Sequence, residues 1–177
     1  MIRLVLPNIK YKKTYLDAVK EFQKAGSDND STDHYLKRTL EQWNETFEDF
    51  VQEKMDHHNG IVAQGLVPCT QFWIIDNNGE YCGRVSFRHA LNEKLAHHGG
   101  HIGYDIIPSK RGKHYATIAL GLCLKEAKKM GLEKVLLTCD DDNVASAKTI
   151  EKNGGVLQDK VPQDNGVITR RYWITLD

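Results

Sequence analysis

The sequence predicts a mixed α/β (α+β) fold, with helices on both faces of a mostly antiparallel sheet of six to seven strands. Three observations support this prediction. Apolar residues recur at helical spacing in the N-terminal third of the chain. From Val67 onwards the pattern changes to short strand-like runs that are separated by turns. A strand–helix–strand unit then spans residues 101–140, which implies one central parallel β-α-β crossover.

One strand and two helices are predicted before residue 60. The run "IRLVLP" is strand-like and is closed by Pro7. A first helix ends at Gly26 and is indicated by apolar residues at helical spacing: Tyr11, Tyr15, Ala18, Val19 and Phe22. The polar run "SDNDSTD" (27–33) predicts a loop. A second helix then runs to "DHHNG" (56–60) with one apolar stripe, which we interpret as core: Leu36, Leu40, Trp43, Phe47 and Phe50.

The rest of the chain is predicted to hold six strands and two helices. A hairpin turn "NNG" joins the strands "TQFWIID" and "EYCGRVSFRHAL". A helix from Tyr115 to Met130 is closed by Gly131, and a second helix begins at Asp142 or Asn143. The remaining strands are "HIGYDIIP" (101–108), "KVLLTCD" (134–140), "GVLQDKV" (155–161) and "VITRRYWITL" (167–176).

Length and composition indicate one ordinary globular domain. The chain has 177 residues, and we assign all of 1–177 to a single domain. Its 24 Lys and Arg residues balance 24 Asp and Glu residues, whereas a general nucleic-acid binder would show a basic excess. No apolar run approaches the roughly 20 residues of a membrane-spanning helix. We therefore predict a cytoplasmic protein with no nucleic-acid or membrane partner.

Cysteine and histidine residues do not indicate a metal site. The four cysteines are scattered, without a Cys-x-x-Cys pair, which is typical of reduced thiols. The run "HHGGH" (97–101) is rich in histidine, but zinc needs three or four converging ligands and spacing alone does not supply them. We expect this run to be a loop of solvent-facing histidines, with His101 near an acceptor pocket.

The stretch "SKRGKHYATIAL" (109–120) places a basic loop between a strand and a helix. The first turn of a helix carries unpaired N–H groups and a partial positive charge, so a phosphate can bind there. Lys110, Arg111 and Lys113 add positive charge. The stretch lacks the nucleotide-binding patterns Gly-x-x-x-x-Gly-Lys-Ser/Thr and Gly-x-Gly-x-x-Gly. Taken alone, the pattern leaves a solvated basic loop as an equal alternative.

Two segments together resemble the GNAT superfamily of N-acetyltransferases. The first resembles that family's acetyl-CoA-binding segment, a frequent form of which is Arg-Gly-Lys-Gly-Tyr-Ala-Thr; here His114 replaces the central glycine. The second, "DNVASAKTIEKNGG", resembles the family's following segment through Asn143, Ser146, Glu151, Lys152 and Gly154. The order of the two segments and the elements between them also fit the family.

The resemblance implies a position for acetyl-CoA. In this family the strand before the basic loop splays away from the next parallel strand, and the pantetheine arm lies in the wedge between them. The pyrophosphate would then bind backbone amides at the start of the following helix. The cofactor-binding residues that this implies are Ile106, Ile107, Arg111, Gly112, Lys113, His114, Tyr115, Ala116, Thr117, Asn143 and Ser146.

The implied reaction is direct attack of a primary amine on the acetyl carbonyl of acetyl-CoA in a ternary complex. It needs a proton acceptor for the amine, a donor to the oxyanion and a proton for the leaving thiolate. Many relatives carry a tyrosine seven residues after the motif asparagine, where this chain has Ile150. The catalytic candidates are Asp140, as amine ligand or base, and Tyr104, which no motif assigns. Asp105 and Glu80 are further base candidates.

Two local expectations concern the helix starts. The anion site should persist if His114 takes ordinary helical dihedral angles, because a backbone amide does not depend on its side chain. Asp142 should cap the helix that follows it, with Asp141 solvated near the positive helix end.

Three functions compete at this level. The first is an N-acetyltransferase that uses acetyl-CoA. The second is a non-catalytic CoA-binding sensor or scaffold with the same fold, since Ile150 replaces the tyrosine. The third is an unrelated phosphate-binding α/β protein. No residue pattern identifies the acceptor, and homodimer formation is left open.

Overall fold

The computed structural model describes residues 1–26 and 32–176. Their strands form two antiparallel sheets, with orders β1-β2-β3-β4 and β5-β7-β6. The predicted mixed architecture of antiparallel strands and helices is confirmed, but its strands are divided between two sheets instead of one. The strands are β1 Ile2–Val5, β2 Cys69–Asp76, β3 Tyr81–Arg88, β4 Ile102–Ile106, β5 Lys134–Asp140, β6 Val156–Pro162 and β7 Ile168–Thr175.

The helices differ from the prediction mainly before residue 60. They are α1 Lys12–Ala25, α2 Asp33–Leu36, α3 Leu40–Glu45, α4 Phe47–His58, α5 Glu93–His97, α6 Tyr115–Lys129 and α7 Val144–Glu151. The expected second helix is thus three short helices. Residues 27–31 of the expected polar loop lie outside the described residues.

A capping box explains why the second helix is interrupted. The Thr39 side chain accepts a hydrogen bond from the Gln42 N–H, and the Gln42 side chain accepts one from the Thr39 N–H. This pair starts α3 afresh after α2. As a result Leu36 is exposed, and its neighbour Tyr35 is fully buried in its place.

The short helix α5 was not predicted. β3 ends at Arg88, and the Asn92 side chain then accepts a hydrogen bond from the Leu95 N–H at 2.9 Å, which caps α5. Residues 89–91, expected to continue the strand, are therefore part of the connection to this helix.

Two hydrophobic cores lie on the opposite faces of the first sheet. One packs that sheet and the strands β5 and β7 against α6 and α7; Ile106, Ala119 and Ile150 belong to it. The other packs β2 and β3 against α1, α3 and α4, and it contains Trp43, Phe47 and Phe50 as predicted. Because neighbouring side chains of a strand point to opposite faces, β2 contributes Ile74 to the first core and Trp73 to the second.

The two sheets meet near the start of β4. The His101 N–H donates to the Leu136 carbonyl oxygen at 2.7 Å, which joins the beginning of β4 to β5. Towards their carboxyl ends the two strands line a common cavity, described below. The edge between the sheets is therefore where the candidate site lies.

Three further expectations concern membrane spans, metal ligands and cysteines. Among residues 1–26 and 32–176, none of the helices has both the length and the apolar character that spanning a membrane requires. The same residues contain no group of three or more His, Cys, Asp or Glu side chains placed to hold a metal ion. All four cysteines are free: Cys69, Cys82, Cys123 and Cys139.

Candidate active site

A cavity of about 660 Å³ opens between the carboxyl ends of β4 and β5 and the N-termini of α6 and α7. Most residues that the sequence analysis predicted for the site line this cavity. They are Tyr104, Ile106, Arg111, Gly112, His114, Tyr115, Ala116, Thr117, Asp140, Asn143 and Ser146. Ile107 and Lys113 do not line it.

The turn before α6 is left-handed at His114. This residue has φ 60° and ψ 14°, and it is the only non-glycine residue with positive φ among the described residues. The condition set for the anion site, ordinary helical dihedral angles at His114, is therefore not met, because the turn that enters α6 has the conformation that glycine adopts most readily. The same conformation explains a glycine at this position in the GNAT motif.

The left-handed turn nevertheless leaves the start of α6 open to an anion. The His114 carbonyl oxygen accepts the first intrahelical bond from the Ile118 N–H at 3.0 Å, and no side chain in the described part of the chain caps the helix. The amides of Tyr115, Ala116 and Thr117 belong to the first turn, where N–H groups lack intrahelical partners. The positive end of the helix dipole thus faces the cavity.

Side chains around the basic loop are held by specific partners. The Arg111 Nε donates to the Ile106 carbonyl oxygen at 3.1 Å, which ties the loop to the end of β4. The Lys110 Nζ lies 3.0 Å from the Asp76 Oδ2 and 2.8 Å from the Glu80 Oε2. These hydrogen bonds, with that to Glu80 the largest cause, raise the pKa of the Lys110 ammonium above its usual range. Glu80 is therefore an ion-pair partner of Lys110 and does not line the cavity.

Asn143 caps the helix α7, which begins at the cavity wall. Its Oδ1 accepts a hydrogen bond from the Ser146 N–H at 3.0 Å. The expectation that Asp142 caps this helix was therefore wrong. Asp141, expected to be solvated, forms ion pairs with the Arg170 Nε at 2.5 Å and the Lys160 Nζ at 2.7 Å. These contacts join the end of β5 to β6 and β7.

Tyr104 reaches across the cavity from β4 to α7. Its hydroxyl lies 3.0 Å from the Ser146 Oγ and donates to the Ser146 carbonyl oxygen at 3.3 Å. Burial raises the pKa of Tyr104 to about 12. The phenol consequently keeps its proton at neutral pH and acts as a hydrogen-bond donor.

Asp105, the next residue, points to the opposite face of β4. Its Oδ2 accepts from the Arg84 Nε at 2.6 Å, and its Oδ1 accepts from the Tyr35 hydroxyl at 3.0 Å. The Tyr35 hydroxyl in turn lies 2.6 Å from that of Tyr81. Burial raises the pKa of Asp105, and the Arg84 guanidinium opposes that shift. Asp105 is buried, and the residue is also among those that line the cavity.

Asp140 lies at the other edge of the cavity, at the end of β5. Asp140 is half-buried and lines the cavity, and its carbonyl oxygen accepts from the Asn143 N–H at 3.0 Å. Asp140 and Asp105 are therefore both lining residues of the same cavity.

The family comparison agrees with these features. The family model described as "Acetyltransferase (GNAT) domain" matches residues 10–156. The chain belongs to the GNAT acetyltransferase family. The predicted membership and the predicted acyltransferase class are thereby confirmed. No curated protein is similar enough in sequence to count as a relative.

Solved structures with the same fold are known for several GNAT proteins. The microcin C7 self-immunity acetyltransferase MccE, in complex with acetyl-CoA and AMP, has a TM-score of 0.69 at 18% identity, covering 98% of this chain and 92% of that one. An acetyltransferase from Salmonella typhimurium that modifies the N-terminal serine of ribosomal protein L7/L12 has a TM-score of 0.66 at 19% identity, covering 99% and 95%. The ribosomal-protein-S5-alanine acetyltransferase from Vibrio fischeri has a TM-score of 0.66 at 18% identity, covering 99% and 92%.

The GNAT motifs do not include every residue of the cavity wall. Six lining residues were not assigned to the site from the sequence: Thr32, Asp142, Ala145, Lys148, Thr149 and Lys152. A helical pattern could have found most of them, because residues three or four apart share one face of α7. Thr32 lies far away in the sequence, and no local signal predicts its position.

The histidine run behaves differently from the expectation. His101 is buried and does not line the cavity; its Nδ1 accepts a hydrogen bond from the Leu136 N–H at 2.9 Å. The prediction of a solvent-facing His101 near the acceptor pocket was therefore wrong. His98 also has a partner, the Thr169 Oγ1 at 3.3 Å.

Proposed function

We propose that this GNAT protein transfers the acetyl group of acetyl-CoA to a primary amine by direct attack in a ternary complex. One observation carries the proposal: two helix N-termini and the separated ends of β4 and β5 enclose a single cavity of about 660 Å³. Such a cavity offers backbone donors for a pyrophosphate at one end and a narrow cleft for a pantetheine arm.

The pyrophosphate is proposed to bind the start of α6. The amides from Gly112 to Thr117 would donate to its oxygens, with Arg111 and Lys113 contributing positive charge. The ammonium groups of Lys148 and Lys152, on the exposed wall of α7, add to this field. Asn143 uses its Oδ1 for the helix cap and still has its amide NH₂ to donate to the cofactor.

The pantetheine arm is proposed to lie along β4, with β4 and β5 as the two parallel strands of the expected crossover. Ile106, the last residue of β4, lines the cavity together with Tyr104 and Asp105. The Ile107 N–H already donates to the Cys82 carbonyl oxygen at 3.0 Å, and its side chain packs in the other core. The proposed cofactor site therefore includes Ile106 and excludes Ile107.

The chemistry is proposed to take place beside Tyr104. The amine nitrogen bonds to the acetyl carbon while the carbon–sulfur bond breaks, and the sulfur leaves as a thiolate that gains a proton. Ile150 is fully buried in the core and cannot serve this thiolate. The Tyr104 hydroxyl lies in the cavity and donates to the departing sulfur, and Asp140 binds the incoming amine.

Several classes of primary amine are candidate acceptors. The named neighbours act on different acceptors, among them an N-terminal serine of a ribosomal protein. The panel that tests this protein should therefore span peptides with N-terminal serine or alanine, a lysine peptide, small alkylamines and aminoacyl compounds. Homodimer formation stays open. The single domain 1–177, a cytoplasmic location and the absence of a nucleic-acid partner stay predictions.

The test combines calorimetry with a thiol-release assay. We expect CoA and acetyl-CoA to bind, and at least one amine of the panel to release CoA thiol and gain an acetyl group by mass spectrometry. No binding of either compound at millimolar concentration would refute the proposal. Binding without transfer to any amine would favour the non-catalytic sensor or scaffold, for which the replacement by Ile150 is the supporting observation. Competition by nucleotides but not by CoA would favour an unrelated phosphate-binding protein.

A further inference from the structure

Consecutive side chains of β4 serve opposite faces of the strand. Tyr104 points towards α7, where its hydroxyl lies 3.0 Å from the Ser146 Oγ. Asp105 points the other way, towards α2 and β3, and the residue also lines the same cavity. Two consecutive residues of β4, one with a hydroxyl and one with a carboxyl group, thus line the cavity in which the acetyl group would bind.

Asp105 is held far more firmly than an ordinary surface carboxylate. Its side chain is only 3% exposed, and its two oxygens take different partners, the Arg84 Nε and the Tyr35 hydroxyl. An isolated charge at this depth would be costly; burial raises the pKa of Asp105, and these donors oppose that shift by stabilising the ionised form. The Tyr81 hydroxyl, 2.6 Å from that of Tyr35, extends the chain of donors.

The carboxylate still has capacity for a substrate. An ionised carboxyl group offers about four lone-pair positions. The two hydrogen bonds from Arg84 and Tyr35 use two of these positions. By this count an amine N–H can be accepted without displacing either partner.

We propose that Asp105 is the catalytic base that takes the proton of the attacking amine, with Arg84, Tyr35 and Tyr81 as positioning residues. The inference rests on the proposed function. As the nitrogen–carbon bond forms, one amine proton passes to the Asp105 carboxylate and then to water. The carbon–sulfur bond breaks, the Tyr104 hydroxyl gives its proton to the thiolate, and the Tyr104 phenolate regains a proton from water. The products are the acetylated amine and CoA thiol, so atoms and charges balance.

Asp140 is the alternative carboxylate, and its surroundings differ. It is half-buried at the end of β5 and its side chain has no ion pair among the described residues. Asp140 is therefore suited to binding the amine reversibly. Its replacement should therefore affect KM, whereas replacement of Asp105 should affect kcat.

Several groups control the charge of Asp105. Arg84 and Tyr81 face it from β3, Tyr35 from α2, and Arg111 from the basic loop, while Tyr15 belongs to the same buried cluster on α1. The hydrogen bond from Tyr35 favours the ionised form of Asp105 and lowers its pKa. Loss of that bond in Tyr35→Phe should raise this pKa, so that the base becomes protonated over a wider range of pH.

The experiment measures kcat and KM against pH for the wild type, Asp105→Asn, Asp140→Asn and Tyr35→Phe. The probe amines are a peptide with N-terminal serine, a lysine peptide and 2-phenylethylamine. For Asp105→Asn we expect kcat at neutral pH to fall by about a hundredfold or more, as loss of a general base predicts. We expect kcat to recover at alkaline pH, where the amine is already neutral. Acetyl-CoA affinity should be kept, and for Asp140→Asn KM should rise while kcat is retained.

Tyr35→Phe decides the question if Asp105→Asn, which leaves Arg84 without its partner, does not fold. The acidic limb of the pH profile of kcat for Tyr35→Phe should move to higher pH. An unchanged limb would overturn the proposal. An Asp105→Asn enzyme that folds and retains kcat within threefold of the wild type would also overturn it while the proposed function stands. A wild type that binds acetyl-CoA but acetylates none of the probes or panel amines would overturn both.

Discussion

His101 joins the two sheets to each other through two hydrogen bonds to one residue, Leu136. Its N–H donates to the Leu136 carbonyl oxygen at 2.7 Å, and its Nδ1 accepts from the Leu136 N–H at 2.9 Å. The imidazole therefore takes the place that a neighbouring strand's carbonyl would have. Because this link lies at the start of β4, it holds the two strands together where the cavity between them begins.

Protonation of His101 should weaken this link. Burial, and secondarily the charge of Arg88, lower the pKa of His101, and a protonated Nδ1 cannot accept from the Leu136 N–H. With the folded pKa below the unfolded value of about 6.5, the stabilisation is present above that value and is lost as pH falls towards the folded pKa. Urea unfolding across this range should show the loss.

His101→Asn is the matched variant for this prediction, since its Oδ1 can accept the same hydrogen bond without titrating. We expect a flatter dependence of the free energy of unfolding on pH, with a remaining slope from His89, whose pKa is also lowered by burial. An identical slope in the variant and the wild type would exclude His101 as the source.

Gly83 should not tolerate a side chain. Its φ is +144°, and a Cβ there would overlap the carbonyl oxygen of Asp105 on the paired strand. We expect Gly83→Ala to lower the free energy of unfolding by about 3 kcal/mol through overpacking. Gly103→Ala on the same sheet is the control, because its Cβ would meet nothing within 4 Å. Equal stability losses in urea titrations of the two variants would contradict the β3–β4 geometry.

His114→Gly should stabilise the protein. A left-handed conformation costs an ordinary residue roughly 1–2 kcal/mol, and the added freedom of glycine in the unfolded chain cancels part of the gain. A net gain of about 0.5–1 kcal/mol is expected, with acetyl-CoA affinity unchanged or higher. His114→Ala keeps the strain and should show no gain. If the alanine variant is stabilised as much as the glycine variant, relief of backbone strain is not the cause.

The sequence predicted the two helix starts beside the cavity better than it predicted the packing around them. The residues of the two motifs are close to one another in the chain, so local pattern was enough to place Arg111 to Thr117 and Asn143 to Ser146 at two helix starts. The end of α1 at Gly26 was equally clear, since one glycine with φ 82° terminates the helical pattern there.

Contacts between residues far apart in the sequence were not predicted. Tyr35 and Asp105 are 70 positions apart, and His101 and Leu136 are 35 apart, so no short pattern records either pair. The break between α2 and α3 did have a local signal, the Thr39-x-x-Gln42 capping box, but the apolar stripe suggested a longer helix. The side chain of Tyr35 became part of the core only because that break rotates it inwards.

Asn143 should contribute both to stability and to cofactor binding, and one substitution separates the two. Aspartate caps helices as well as asparagine does, so Asn143→Asp should keep the free energy of unfolding while it loses the amide donor and adds a negative charge near the phosphates. We expect acetyl-CoA affinity to fall by about tenfold, about 1.4 kcal/mol. Asn143→Ala should lose about 1 kcal/mol of stability in addition. Asp141→Ala should affect CoA affinity less than either, and the reverse order in calorimetry would contradict the motif assignment.

Acetyl-CoA is proposed to bind in the cavity between β4, β5 and the starts of α6 and α7. A titration of the ¹⁵N-labelled protein with CoA, monitored through the amide resonances by NMR, tests this proposal. Saturable shifts are expected mainly in residues 104–106, 112–117 and 143–146. Shifts confined to the helices α1–α4, or no saturable shift at any residue, would contradict the proposal.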